Sequence, residues 1–118
     1  MAGWLSTHVL DTALGLPAAG LEIALFRLNS DRRDHVVTMV TNADGRTDVP
    51  ILAAKDFMVG EYELVFQAGD YLRRTAGEQT KPLFLDVIPI RFGMNDAKAH
   101  YHVPLLLSPF GYSTYRGS

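Results

Sequence analysis

Turn-forming residues divide this chain into short strand-like runs, and that division constrains its fold more than any other feature. Glycine, proline, asparagine and aspartate recur about every 8 to 12 residues, a spacing typical of antiparallel β-sandwiches. Within one run, the branched residues Leu21, Ile23 and Leu25 fall on the same side of the strand, as expected for a face packed on a core. The predicted strands are Trp4–Leu10, Leu21–Leu28, His35–Thr41, Glu61–Gln67, Leu83–Arg91, Ala99–Leu107 and Gly111–Tyr115.

One segment departs from the β pattern. Residues 70–76 contain no β-branched run, begin with an acidic N-cap candidate at Asp70 and are followed by Gly77. An acidic residue before a helix and a glycine after it are common end signals. The segment therefore predicts one or two turns of helix in an otherwise all-β fold.

Composition bounds the class of protein. A length of 118 residues with 47% apolar and 20% charged side chains predicts one globular domain over residues 1–118. A net charge of −2 gives no reason to expect nucleic-acid binding, and no apolar run reaches the roughly 20 residues of a membrane span. The chain has no cysteine, which excludes disulfides and thiolate chemistry. No export signal is visible, so we expect a cytoplasmic protein.

Two histidines mark one face of the predicted strand Ala99–Leu107. Odd-numbered positions there are all apolar and should face the core, because side chains alternate along a strand. His100 and His102 share the other face, which grades into the aliphatic Leu106. A face that is neither charged nor fully apolar indicates the wall of a cleft or an assembly interface.

The first strand repeats this arrangement. His8 lies on the face opposite Leu5 and Val9, beside the aliphatic Leu10. If the outward faces of the two strands belong to one sheet, His8 and His102 line a common site. Imidazole titrates near pH 6.5, so either ring suits a general base at neutral pH.

Arg46 is the candidate cationic group of such a site. It follows the tight Asp44–Gly45 turn and would present a permanently charged fork to a carbonyl or a carboxylate. A solvated turn arginine is the alternative on local grounds. A zinc site built on His100, His102 and a third histidine is a further alternative, but an arginine in the same pocket would oppose a divalent cation.

The last four residues, Tyr115–Ser118, combine a guanidinium, a glycine and a terminal hydroxyl. Such groups suit the binding of a small polar, anionic molecule. Ser118 has no nearby base and no nucleophile-elbow context, so the sequence does not favour a serine hydrolase.

Four motifs in order resemble the 5-hydroxyisourate hydrolase family, the transthyretin-related enzymes of purine degradation. They are Leu5–Thr12, Asp44–Arg46, His100–Pro109 and Tyr115–Ser118, and the resemblance spans essentially the whole chain. It implies a prealbumin-like β-sandwich of two four-stranded sheets with one short helix. It also implies a homotetramer, a dimer of dimers, whose active sites lie in the channel between dimers.

The resemblance further implies cofactor-free and metal-free hydrolysis of the N1–C6 bond of 5-hydroxyisourate. The product would be 2-oxo-4-hydroxy-4-carboxy-5-ureidoimidazoline. The residues that the family motifs place in the site fall into two groups. The catalytic group is His8, Arg46, His102 and Ser118, and the substrate-binding group is Tyr115, Arg116, Gly117 and His100.

The transthyretin carriers share the family fold but lack the counterparts of His8, Arg46, His102 and the Arg-Gly-Ser ending. This chain keeps all of them. Because carriers share the fold, a carrier of a hydrophobic hormone-like ligand is the rival interpretation from another functional class. A pocket with histidines and arginines suits a small anion better than such a ligand.

Overall fold

The computed structural model describes residues 2–76 and 81–117. Eight strands, one short helix and one 3₁₀ turn at Ala54–Asp56 make up the described chain. The strands are β1 (Trp4–Asp11), β2 (Leu16–Pro17), β3 (Glu22–Asn29), β4 (Arg32–Val40), β5 (Gly60–Gln67), β6 (Val87–Met94), β7 (His100–Ser108) and β8 (Gly111–Thr114). The helix α1 spans Ala68–Thr75.

The strands form two four-stranded sheets, which confirms the predicted fold class. We call the sheet with strand order β2-β1-β7-β8 the histidine sheet, and the sheet with order β4-β3-β5-β6 the salt-bridge sheet. Five strand pairs of the described chain are antiparallel, but β1 and β7 run parallel. The sandwich is thus mainly antiparallel, as predicted, with one parallel central pair whose strands are separated by most of the chain.

The core lies between the two sheets and follows the predicted alternation. On β7, Tyr101, Val103 and Leu105 are buried, while His100 and His102 are half-buried on the outward face. The largest fully buried side chains are Tyr62, Phe66, Leu5, Leu21, Ile23, Leu25, Ile51, Leu64, Ile88, Met94, Leu105 and Leu107. Burial of this apolar area is the main force that holds the sheets face to face.

Strand β4 begins earlier than its sequence indicated. The polar residues 32–34 were expected in a turn, yet they belong to the strand, and the turn narrows to Ser30 and Asp31. Asn29 donates a hydrogen bond to Asp34 Oδ2 at 2.6 Å across the hairpin. Polar side chains are tolerated here because β4 is an edge strand that faces solvent.

The helix is present, but its start was wrongly placed. It begins at Ala68 with Gln67 as the N-cap, whereas Asp70 lies in the first turn and pairs with Arg73 at 2.8 Å. Gly77, the expected end signal, lies outside the described residues. The helix is anchored to β1 by the Tyr71 hydroxyl, which donates to Asp11 Oδ2 at 2.7 Å.

Candidate active site

The parallel pairing of β1 and β7 assembles the outward face of the histidine sheet. The register sets Trp4 opposite His100 and Ser6 opposite His102. These residues alternate with core residues on each strand, so their side chains project to the same outward face. Residues about 95 positions apart in sequence thus become direct neighbours.

Ser6 joins the two histidines of β7. Its Oγ lies 2.7 Å from His100 Nε2 and 2.7 Å from His102 Nδ1. One hydroxyl therefore bridges both rings. Because Nδ1 of His102 is occupied by Ser6, Nε2 is the nitrogen that remains for a ligand.

Trp4 fixes the orientation of His100. The indole and imidazole rings are stacked, with centroids 3.5 Å apart and planes 7° from parallel. This contact restricts rotation of the His100 ring and keeps Nε2 directed at Ser6. Sequence reasoning missed both Trp4 and Ser6; their outward parity with His8 was the available signal, but the pairing of β1 with β7 was needed to interpret it.

Arg46 reaches this face from a turn that is pinned to β1. The Val9 amide donates to Gly45 O at 2.8 Å, and Gly45 has a φ of +76°. A Cβ at Gly45 would lie 2.3 Å from Val9 O, so glycine is required by both conformation and space. Asn42 Oδ1 accepts the amides of Asp44 and Arg46 and closes the turn.

His8 lies beside Arg46 through an isolated antiparallel bridge. Its Nε2 is 2.9 Å from Asp44 O, and since a carbonyl only accepts, Nε2 carries the proton and Nδ1 is the basic nitrogen. Burial and the charge of Arg46 lower the pKa of His8, against the opposing effect of the Asp44 carbonyl. His8 is thus neutral at pH 7.

An open cleft of about 370 Å³ lies over this face. Its lining consists of Trp4, Ser6, Thr7, Arg46, Thr47, Asp48, Val49, Pro50, His100 and His102. Within residues 2–76 and 81–117, no carboxylate forms an ion pair with Arg46. The cleft therefore offers an uncompensated guanidinium to an anionic or strongly polarised ligand.

The imidazoles of the cleft are held in their neutral form. Burial lowers the pKa of His102, and repulsion from Arg46, and from His100 and His8 in their protonated forms, lowers it further. Burial alone lowers the pKa of His100. Two neutral rings beside a cation provide proton acceptors and a charge-stabilising donor within one cleft.

The tail residues are divided between two places. Gly117 donates its amide to His102 O at 2.8 Å, and a Cβ there would lie 2.6 Å from His102 Cδ2. Arg116 instead stacks its guanidinium over Tyr101, 4.2 Å from the ring centroid, and with Tyr115 it lines a separate cleft of about 230 Å³. In a single chain, only Gly117 of these three lies against the histidine cleft. Ser118 lies outside the described residues.

The zinc alternative requires a set of three ligands. No group of three or more His, Asp or Glu side chains in the described ranges is arranged to hold a metal ion. His100 Nε2 and His102 Nδ1 are instead connected through Ser6 Oγ. Among the same residues, no helix is long and apolar enough to cross a membrane.

Comparison with known proteins identifies the family. The model of the HIUase/Transthyretin family matches residues 5–117. The chain belongs to this family. The resemblance read from the four sequence motifs is thereby confirmed.

Individual members of the family agree closely with the chain. The 5-hydroxyisourate hydrolase of Mesorhizobium japonicum is 64% identical over 98% of this chain and 93% of its own length. The crystal structure of an (S)-allantoin synthase matches 99% of this chain with a TM-score of 0.92 and 45% identity, but this chain spans only 44% of that protein. Transthyretin from Sparus aurata matches 96% of this chain and 95% of its own length, with a TM-score of 0.84 and 27% identity.

Proposed function

We propose that this protein hydrolyses 5-hydroxyisourate to 2-oxo-4-hydroxy-4-carboxy-5-ureidoimidazoline in the degradation of urate. The observation that carries the proposal is the convergence in one open cleft of neutral imidazoles with Arg46, which has no carboxylate partner among residues 2–76 and 81–117. The name of the Mesorhizobium relative, at 64% identity over nearly the full length, supports the same substrate.

Arg46 would bind and polarise the C6 carbonyl of the substrate. Its guanidinium is permanently charged and has no carboxylate partner in the described chain, so binding does not have to break an existing ion pair. The same group would stabilise the oxyanion that forms when water adds to C6. Donors aimed at such a charge contribute about 3–4 kcal/mol to the barrier reduction.

A histidine would activate the water. Both His102 Nε2 and His8 Nδ1 are nitrogens without an assigned hydrogen bond inside the described ranges, and both rings are neutral at pH 7. Removal of the water proton by such a base accelerates hydrolysis by about 10²–10⁴-fold. Collapse of the tetrahedral intermediate then breaks the C6–N1 bond, and N1 leaves with a proton supplied by the imidazolium.

Apart from Gly117, the tail residues would join the site only when several copies of the chain assemble. We propose a homotetramer, a dimer of dimers, whose central channel is lined by the outward faces of the histidine sheets. The half-buried Leu10 and Leu106 beside the histidines, and the openness of the cleft in one chain, support a neighbouring copy at this face. In that assembly Ser118, together with Tyr115, Arg116 and Gly117, would complete the site. Light scattering coupled to size exclusion should give four times the 13.1 kDa chain mass, and a monomer that is fully active would refute the proposal.

A coupled spectrophotometric assay tests the activity. Urate oxidase generates 5-hydroxyisourate in the cuvette, and the decay of its absorbance is followed with and without this protein. We expect strong acceleration by the wild type and a loss of about 10²–10⁴-fold in His102→Asn. His35→Asn is the matched control, because His35 lies on the salt-bridge sheet and contacts Thr38 there. Decay that is unchanged by the wild-type protein would disprove the proposed function.

A further inference from the structure

The Ser6 hydroxyl has one proton and two imidazole neighbours at equal distances of 2.7 Å. It therefore donates to one ring and accepts from the other when both rings are neutral. If Ser6 donates to His100 Nε2, His102 holds its proton on Nδ1 and exposes a basic Nε2 to the cleft. If Ser6 donates to His102 Nδ1, His102 holds its proton on Nε2 and presents a hydrogen-bond donor to the cleft.

We propose that Ser6 is a positioning residue that relays a proton between His102 and His100, so that the proton His102 takes from water is held on His100 and returned to His102 when N1 leaves. The inference rests on the proposed function, because it assigns His102 as the base of that hydrolysis. It goes beyond the family motifs, which single out the histidines but not the serine between them.

The relay balances in three steps. His102 Nε2 first accepts a proton from the attacking water, so that the ring carries protons on both nitrogens. The Nδ1 proton then moves to Ser6 Oγ while the Ser6 proton moves to His100 Nε2, and the positive charge passes to His100. His102 is then neutral with its proton on Nε2. As N1 leaves, the relay reverses: His100 returns its Nε2 proton to Ser6 Oγ, the Ser6 proton returns to His102 Nδ1, and His102, again an imidazolium, donates its Nε2 proton to N1.

The surroundings of the two rings favour this direction. Burial and the charge of Arg46 both oppose a positive charge on His102, whereas burial alone opposes one on His100. The ring of Trp4 stacked on His100 also attracts a cation. Asp48 is the acidic residue in the lining of the same cleft, and its Oδ1 accepts a hydrogen bond from Asn42 at 3.0 Å. Arg46 therefore disfavours a proton on His102 more than one on His100.

Substitution of Ser6 distinguishes a role in proton relay from a purely structural role. We expect Ser6→Ala to lower kcat by about 10–100-fold with KM nearly unchanged, the usual consequence of removing a hydrogen bond that orients a functional histidine. Ser6→Thr keeps the hydroxyl and should restore most of kcat. Ser108→Ala, also a serine in the histidine sheet but at the far end of β7, should leave kcat unchanged. Equal kcat in wild type and Ser6→Ala, or no rescue by threonine, would overturn the relay.

Nuclear magnetic resonance tests the connection without substrate. In protein labelled with ¹⁵N at histidine, His100 and His102 should titrate as a coupled pair in the wild type and independently in Ser6→Ala. If titration is coupled but the wild type does not accelerate 5-hydroxyisourate decay, the proposed function is wrong and the connection stands. If the wild type is active but Ser6→Ala changes neither the titration nor kcat, the connection is wrong and the function stands.

Discussion

The outward faces of the two sheets both carry arginines, but only the salt-bridge sheet pairs its arginines with a buried carboxylate in the described chain. On the salt-bridge sheet, the buried carboxylate of Glu63 accepts hydrogen bonds from Arg33 at 2.6 Å and from Arg91 at 2.7 Å. Arg33 also lies over the Phe26 ring, 4.0 Å from its centroid. On the histidine sheet, Arg46 has no such partner in the described chain, and the histidines share a hydroxyl rather than a carboxylate.

The difference shows that charged groups paired with each other stabilise the fold, whereas groups without such a partner can act on a ligand. Burial would raise the pKa of Glu63, but the hydrogen bonds and charges of its two arginines outweigh that effect and lower it. A group satisfied in this way has little left to offer a ligand. The histidine sheet leaves its cation and its basic nitrogens available, which is the arrangement expected of a functional site.

Removing one arginine from each face gives the largest expected effect and tests whether the two faces serve activity and stability separately. Arg46→Gln should lower kcat by about 10²–10³-fold with little change in unfolding free energy, because in the proposed mechanism its charge stabilises the oxyanion. Arg33→Gln should leave kcat unchanged and cost about 1 kcal/mol of stability, a modest value because the side chain is half exposed. Steady-state kinetics and urea unfolding of both variants provide the measurement. Loss of activity in Arg33→Gln would show that the two faces are not independent.

Neutralising the buried carboxylate tests the structural role of the salt-bridge sheet. Glu63→Gln should lower the free energy of unfolding by about 1–3 kcal/mol, because one buried partner of two arginines is lost. Both arginines reach solvent, so the cost stays below that of a fully buried pair. Urea unfolding measures the loss. An unchanged midpoint would mean that the ion pairs contribute nothing.

A pair of glycine substitutions tests how tightly the backbone packs on each sheet. Gly117→Ala should displace the His102 ring and lower kcat about tenfold, a change of about 1.4 kcal/mol in the barrier. Gly93→Ala on β6 meets nothing within 4 Å and should leave kcat and the melting temperature nearly unchanged. A crystal structure of Gly117→Ala with His102 unmoved and full activity would contradict the assigned constraint.

The two faces should also respond to acid at different pH values. Folding lowers the pKa of His102, so its neutral form persists at pH 6.5 and is lost at lower pH, where both kcat/KM and some stability fall. Folding lowers the pKa of Glu63 as well, so its stability contribution is present above the unfolded value of about 4.3 and is lost as pH falls below it. Activity should therefore decline at a higher pH than the Glu63-dependent stability. Rate profiles and urea unfolding between pH 3 and 8 measure this, and Glu63→Gln should shift only the second transition.

Local patterns predicted most of the fold. Alternation correctly assigned the core and outward faces of β1 and β7, because side-chain direction along a strand depends only on neighbouring residues. The start of β4 was predicted too late because residues 32–34 are polar, and an exposed edge strand carries the same kinds of residue as a turn. The helix start was missed because its N-cap, Gln67, carries no capping signal in its sequence.

The spatial grouping of the candidate site residues could be predicted in part. The motifs brought His8, His102 and Arg46 into one interpretation, and the structure places Arg46 and His102 in one cleft with His8 beside Arg46. Ser6 was missed because a serine in a strand is unremarkable until its cross-strand neighbours are known. Arg116 was expected in the pocket, but in a single chain it stacks on Tyr101.

The amino-acid sequence by itself determined which side chains share a strand face, where most turns fall and which family the motifs resemble. These properties are local, because they follow from a two-residue period and from the conformational preferences of turn residues. Only the tertiary structure decided that β1 pairs in parallel with β7, and thus that Ser6 lies between His100 and His102. That contact joins residues 94 and 96 positions apart, and register over such a distance is set by packing of the whole sandwich rather than by any segment of it.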